Sequence, residues 1–235
     1  MLTGVAASSP STTFSVPDDS WLTAVCDLRY RSPVTVLDWL LDSDPALRWQ
    51  VLRDLTDAPQ DEIAAERARV AAEGWGARLL ALRGDDGQWA GGACFPADFR
   101  GDFSAGQPWT STLPTLTLLR DFGVDPDAEQ SCETVVLVRD NCRWEHAGQP
   151  FFAGEVEPCI NGRTVAIGAY FGVNVDCIVT RLLGEQLADG GWNCEVDSGS
   201  VRFLLPHDDL CARGLAGTRA GDRRFNGDPR GAAAR

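Results

Sequence analysis

The chain is poor in the features that mark membrane, nucleic-acid-binding and disulfide-framework proteins. No uninterrupted apolar stretch approaches the roughly 18 residues that suggest a membrane span. Met1 to Val16 lacks the basic start and apolar stretch of a secretory signal. Together these absences predict a cytoplasmic protein without a transmembrane segment. Positive charge is scarce: 21 basic residues face 34 acids, giving a formal net charge of -13 and a pI near 4.5. Nucleic acid and anionic lipid need clustered Lys and Arg, so neither is an expected partner. The eight cysteines (Cys26, Cys94, Cys132, Cys142, Cys159, Cys177, Cys194, Cys211) are scattered singly with no Cys-x-x-Cys pair. That pattern reads as reduced, mostly buried small side chains, with no metal and no cofactor expected. Period-two alternation is also missing, and the Val135 to Val138 run lies inside a helical frame, so no strand is predicted.

What the chain does contain is a repeat. A Gly-x-Trp step occurs at Gly87-Gln88-Trp89, at Cys142-Arg143-Trp144 with Cys in place of Gly, and at Gly190-Gly191-Trp192. Each step follows an apolar helical run and precedes a polar linker and a second apolar run. Agreement is closest after the linker, where Leu113 to Asp127 lies over Gly162 to Asp176 and Phe122-Gly123-Val124 falls on Phe171-Gly172-Val173. Self-similarity at a spacing of about fifty residues predicts stacked or ringed helical hairpins rather than one unique core.

Three regions follow from a walk along the sequence. Residues 1–32 are rich in Ser, Thr, Pro and Asp and read as a flexible leader. Residues 33–202 form the helical domain. Within it Asp44-Pro45 and Asp125-Pro126 are helix starts, Gly123 is a left-handed C-cap, and Gly74 and Gly76 divide the helical composition of Asp61 to Leu82. Asp176 is read as the N-cap of the run carrying Ile178, Leu182, Leu183 and Leu187. The segment from Gly91 to Gln107, with Phe95, Phe99 and Phe103, is long for a loop in a compact domain, and such loops are often functional. Residues 203–235 carry several arginines among Gly and Ala without an amphipathic period and read as a disordered tail, in keeping with an out-of-frame translation.

The third unit reads Leu182-Leu183-Gly184-Glu185-Gln186-Leu187-Ala188-Asp189-Gly190-Gly191-Trp192. A helix ends in a Gln, an acidic Gly-Gly turn and a Trp. The Gln amide can bind backbone groups at a helix end, the glycines supply positive φ, and the indole covers the helix end while its N–H finds a carbonyl. This unit resembles the repeat motif of the squalene and oxidosqualene cyclases, including short squalene cyclase-like proteins of high-GC bacteria, and, more loosely, of the protein prenyltransferase β-subunits. The resemblance spans roughly Val34 to Ser200 and implies an all-α fold, an α/α toroid incomplete at its C-terminus, whose hollow takes isoprenoid chains. Residues Trp89, Trp144, Gln186, Gly190, Gly191 and Trp192 would then be its structural signature. Arg83 and Val138 stand where the motif puts Gln in the other two units.

Cyclases of that type protonate an alkene with an Asp-x-Asp-Asp acid, and no such run exists in the body of this chain. The remaining candidate is the second linker, where Glu155 and Glu157 are candidate acids beside Phe151 and Phe152, with Tyr170 as a further substrate contact. Asp140, Cys142 and His146 are of metal-ligating types but sit in a stretch read as a surface turn. Three readings follow: a terpene cyclase-type or prenyltransferase-like enzyme acting on or binding an isoprenoid, a non-catalytic helical-repeat scaffold or lipid-binding module, or an inactive truncated product. With permitted codons, Phe203 to Leu210 read one base later gives Ser-Ser-Phe-His-Thr-Thr-Ile, which resembles the segment after the Gly-Gly-Trp unit in the related proteins. A toroid cut there leaves an uncapped helical face and predicts self-association.

Overall fold

A computed structural model describes residues 34–202. The expected leader over 1–32 and the expected tail over 203–235, with its frameshift reading, lie outside the described residues. The chain divides into two units, one ending at Trp39 and one beginning at Leu40. In the first, Thr35 precedes helix α1 (Val36–Leu41): its Oγ1 accepts the Asp38 N–H at 3.1 Å while Asp38 Oδ2 accepts the Thr35 N–H at 3.0 Å. This reciprocal pair is a capping box.

The second unit is all-α. Helices α2 (Pro45–Leu55), α3 (Gln60–Ala68) and α4 (Gly74–Ala81) are followed by the long segment over residues 82–111. Helices α5 (Thr112–Phe122), α6 (Glu129–Asn141), α7 (Pro158–Phe171) and α8 (Asp176–Gly184) complete the set, with single 3-10 turns at Arg69–Ala71, Phe151–Ala153 and Val196–Ser198. Among the described residues there is no strand, only the isolated bridges Trp89 to Gly92 and Arg143 to Pro150. Neighbours pair as α2 with α3 and α4, α5 with α4 and α7, and α7 with α6 and α8. One apolar core joins Leu113, Leu116 and Leu119 of α5 to Val135 and Val138 of α6, Val165 and Ile167 of α7, and Ile178 and Leu182 of α8.

The expected stops and starts explain most of these boundaries. Asp44 Oδ1 accepts the Ala46 N–H at 2.9 Å with Pro45 at the first helical position, and Asp44 Oδ2 also accepts the Trp75 N–H at 2.8 Å, so one carboxylate fixes two helix starts. Gly123 closes α5 at φ +83° with Val124 N–H bonded to Leu119 O at 3.1 Å; Gly172 closes α7 at φ +72° with Val173 N–H bonded to Gly168 O at 2.8 Å. Both carry the left-handed cap with its long return bond, so the aligned Phe-Gly-Val triplets adopt one conformation.

Two starts differ from expectation. Asp176 is the first helical residue rather than the cap: Asn174 Oδ1 takes the Asp176 N–H at 3.0 Å and Asn174 Nδ2 donates to Asp176 Oδ2 at 3.0 Å, which occupies the side chain in a local turn. Asp125-Pro126 opens a turn in which Asp125 Oδ1 accepts the Asp127 N–H at 3.1 Å, and α6 begins only at Glu129 and runs past Val138 to Asn141.

Two of the three Gly-x-Trp indoles share one geometry. Trp89 and Trp192 are buried, and each donates its N–H to a carbonyl ten residues back in the last turn of a helix, Leu79 O of α4 at 2.7 Å and Leu182 O of α8 at 2.7 Å. The turns between are superposable bond for bond. Gly84 N–H to Gln88 O and Gly87 N–H to Gly84 O in the first unit match Leu187 N–H to Gly191 O and Gly190 N–H to Leu187 O in the third. Gly87 and Gly190 both have φ near +90°, at +86° and +89°. Gln186 donates its amide to Gly190 O across the third turn. The second unit departs: Trp144 donates forward to Phe151 O at 2.9 Å and stacks on the Phe151 ring with centroids 4.7 Å apart. A fourth indole does the same work without a Gly-x-Trp step, since Trp49 donates to Phe122 O, the final carbonyl of α5, at 2.7 Å.

Candidate functional site

Two linkers, one over residues 82–111 and the other over residues 142–157, face each other across a cavity of about 710 Å³. Its apolar lining comes from Phe95, Phe103, Trp109, Leu113, Val156 and Ile160, and its polar lining from Glu145, His146, Glu155, Glu157, Cys159 and Arg163. Phe95, Phe99 and Phe103 form a cluster with ring centroids 5.0 to 5.9 Å apart, which gives the glycine-rich loop its own small core. Arg163 lies over the Trp109 ring at 5.4 Å.

Glu145 holds the first linker in place. Its carboxylate accepts the N–H groups of Ala93 at 2.8 Å, Cys94 at 2.9 Å and Phe95 at 3.1 Å, satisfying three consecutive backbone donors that no helix or strand serves. A side chain at Gly92 would stand 1.9 Å from Phe95 O and 3.0 Å from the Glu145 carboxylate, so this loop closes only around glycine.

Asn161 holds the second. Fully buried, it accepts the Glu155 N–H at 2.8 Å and donates to Glu155 O at 2.8 Å. Arg181 of α8 also binds the Glu155 and Val156 carbonyls. Glu155 is buried, its Oε2 accepting the Glu157 N–H at 2.7 Å, and Glu157 stands at the N-cap position of α7 next to Pro158, without a side-chain capping bond. The structure therefore brings Glu155 and Glu157 together at the cavity wall.

Their expected partners lie elsewhere. Phe151 and Phe152 are buried in the core under Trp144 and do not line this cavity. Phe151 is enclosed by packing, and Phe152 lines a different cavity beside Phe171 and Val173. Tyr170 lines a separate cavity with Trp49 and Arg67, donating to Val124 O at 2.7 Å and accepting from Arg67 at 3.0 Å. Asp140 pairs with Arg139 on the surface and Cys142 is buried in the core, so only His146 of that trio reaches the cavity.

Two thiols that sequence spacing did not join meet here. Cys159, on the first turn of α7, and Cys194, two residues beyond Trp192, have Sγ atoms 3.3 Å apart, and Cys159 Sγ is 3.5 Å from Glu157 Oε2. The hydrogen bond to Cys194, then burial, raises the Cys159 thiol well above its usual range; the same bond lowers Cys194. Burial pushes the Cys94 thiol up to about 12, and does the same for Cys142. The only advance signal for Cys194 is its position just past an anchored indole.

No known protein family, no curated protein and no solved structure matches this chain. Among the described residues no helix is long and apolar enough to cross a membrane.

Proposed function

We propose that this protein binds an apolar small molecule of the isoprenoid class in the cavity between its linkers, as a non-catalytic binding module built from helical hairpins tiled around a hollow. The cavity carries the reading: about 710 Å³ of space lined by three aromatic rings and three aliphatic side chains, with polar and charged groups among them. That mixed lining suits a branched hydrocarbon that also carries a polar group. The matching Gly-Trp turns of the first and third units, each tying a helix end to the start of a linker, support the tiled arrangement.

Binding is favoured over catalysis because Glu145 and Glu155 are engaged in building the wall, while the Glu157 side chain is exposed rather than enclosed. Glu155 Oε2 accepts a backbone N–H of its own turn, and Glu145 serves three backbone donors. Neither is held off the backbone and aimed into the cavity, as a proton donor to an alkene must be.

The test is titration of the full chain with a dansyl-labelled farnesyl alcohol. Saturable binding, displaced by unlabelled farnesol and weakened about tenfold by Trp109→Ala, is expected, a change of about 1.4 kcal/mol for one aromatic wall contact. Trp109 is half exposed, so its removal spares the core. Absence of saturable binding, or an unchanged affinity in the variant, refutes the reading.

A further inference from the structure

We infer that Glu157, Cys159 and Cys194 form a binding site for a divalent cation of the zinc class, with one coordination position left for water or for a ligand in the cavity. One oxygen and two sulfur ligand atoms from these residues lie within 4.8 Å of one another. Two sulfurs on a tetrahedral zinc stand about 3.8 Å apart, from Zn–S bonds of about 2.3 Å. The observed 3.3 Å between Cys159 and Cys194 thus needs an opening of about half an ångström. The 3.5 Å from Cys159 Sγ to Glu157 Oε2 already suits ligands sharing one ion.

Donor chemistry selects the ion. Two thiolates with one carboxylate favour zinc over magnesium or calcium, which prefer all-oxygen shells. On binding, each thiol gives up its proton to solvent and its sulfur lone pair to the metal, so one zinc ion releases two protons and no electron moves. Three negative ligands then face a charge of two, and the Arg163 guanidinium on the same cavity wall offsets the remainder.

The ligands are held before any ion arrives. Glu157 is fixed by the bond from its own N–H to Glu155 Oε2, and Cys159 by the first turn of α7. Cys194 is fixed by the indole of Trp192 on one side and on the other by Asn193, which accepts the Glu195 N–H at 2.8 Å and donates to Arg202 O at 2.8 Å. Three consecutive residues, Trp192 to Cys194, thus carry the third turn of the repeat into the site. Since Glu157 and Cys159 also line the cavity, an ion here would sit at its wall.

The experiment is metal titration of the full reduced chain after chelator treatment. Cobalt is the spectroscopic probe and zinc the competitor. One equivalent of cobalt should give a sulfur-to-cobalt charge-transfer band and the intense d–d bands of a tetrahedral site, both abolished by zinc. Cys159→Ser and Cys194→Ser should each weaken binding by more than the roughly 10–100-fold that supporting residues around a metal cost. Cys132→Ser, at a thiol lining a different cavity, should leave it unchanged. Glu157→Gln, at an exposed side chain, keeps the test decisive if a cysteine variant fails to fold, and should weaken cobalt binding at least about tenfold. Full-strength cobalt bands in Glu157→Gln and in either folded cysteine variant, or no charge-transfer band in the wild type, overturn the proposal. These readouts need no apolar ligand, so they stand or fall apart from the farnesyl titration.

Discussion

Replacing Trp192 by Phe isolates the hydrogen bond that ends the third unit, and the structure says it should cost more than the same change at Trp89. Both indoles are buried and both donate at 2.7 Å to a carbonyl in the last turn of a helix. The acceptors differ in what remains. Leu79 O also receives the Leu82 N–H at 3.1 Å, so Trp89→Phe leaves it bonded and removes one ordinary hydrogen bond, about 0.5–1.5 kcal/mol. Glu185 N–H goes to Arg181 O, and no backbone N–H of the described residues reaches Leu182 O beyond its helix, so Trp192→Phe strands a buried carbonyl. The cost of such an orphaned group is about 1–3 kcal/mol, added to the lost packing of the indole's second ring. Urea unfolding followed by circular dichroism measures both, with unchanged m-values required for the comparison. A midpoint for Trp192→Phe equal to or above that of Trp89→Phe would refute the reasoning.

Three more predictions use the same method. Gly123→Ala should destabilise by more than about 2 kcal/mol, because a left-handed φ and a Cβ 2.3 Å from the Trp49 ring act together, whereas Gly172→Ala, with open space at its Cβ, should cost only the left-handed penalty of about 1–2 kcal/mol; equal losses in urea unfolding would contradict the packing term. Asn161→Ala orphans the buried Glu155 N–H, while Arg181 keeps the Glu155 carbonyl bonded, and should cost about 1–3 kcal/mol while raising hydrogen exchange in the second linker; unchanged exchange would show the clamp is idle. Cys94 and Cys142, raised by burial from the usual 9.0 to about 12, favour the folded state while neutral, so their contribution is complete below about pH 9 and is lost as pH rises toward about 12. Stability flat across that window, or rising, would show the thiols are not desolvated.

Features written in neighbouring residues were legible in the sequence. The Gly-Trp turns, the Phe-Gly-Val caps and the Asp44-Pro45 start each complete their bonds within about ten residues of chain, and the all-α class follows from them. Asp176 misled because Asn174, two residues earlier, competes for the same turn. The site was less legible, since its contacts span long separations. Glu145 reaches back some fifty residues to its three N–H groups, Cys159 meets Cys194 across 35, and Trp49 reaches Phe122 across 73. No spacing rule announces such partners. Phe151 and Phe152 sat beside the right carboxylates in sequence, but on a 3-10 turn that buries both rings under Trp144.

Isothermal titration calorimetry with farnesol at several temperatures tests the central claim most directly. Filling an apolar cavity must give saturable one-to-one binding with a negative heat-capacity change. Binding whose enthalpy does not vary with temperature, or no saturable heat at any temperature, would contradict the account.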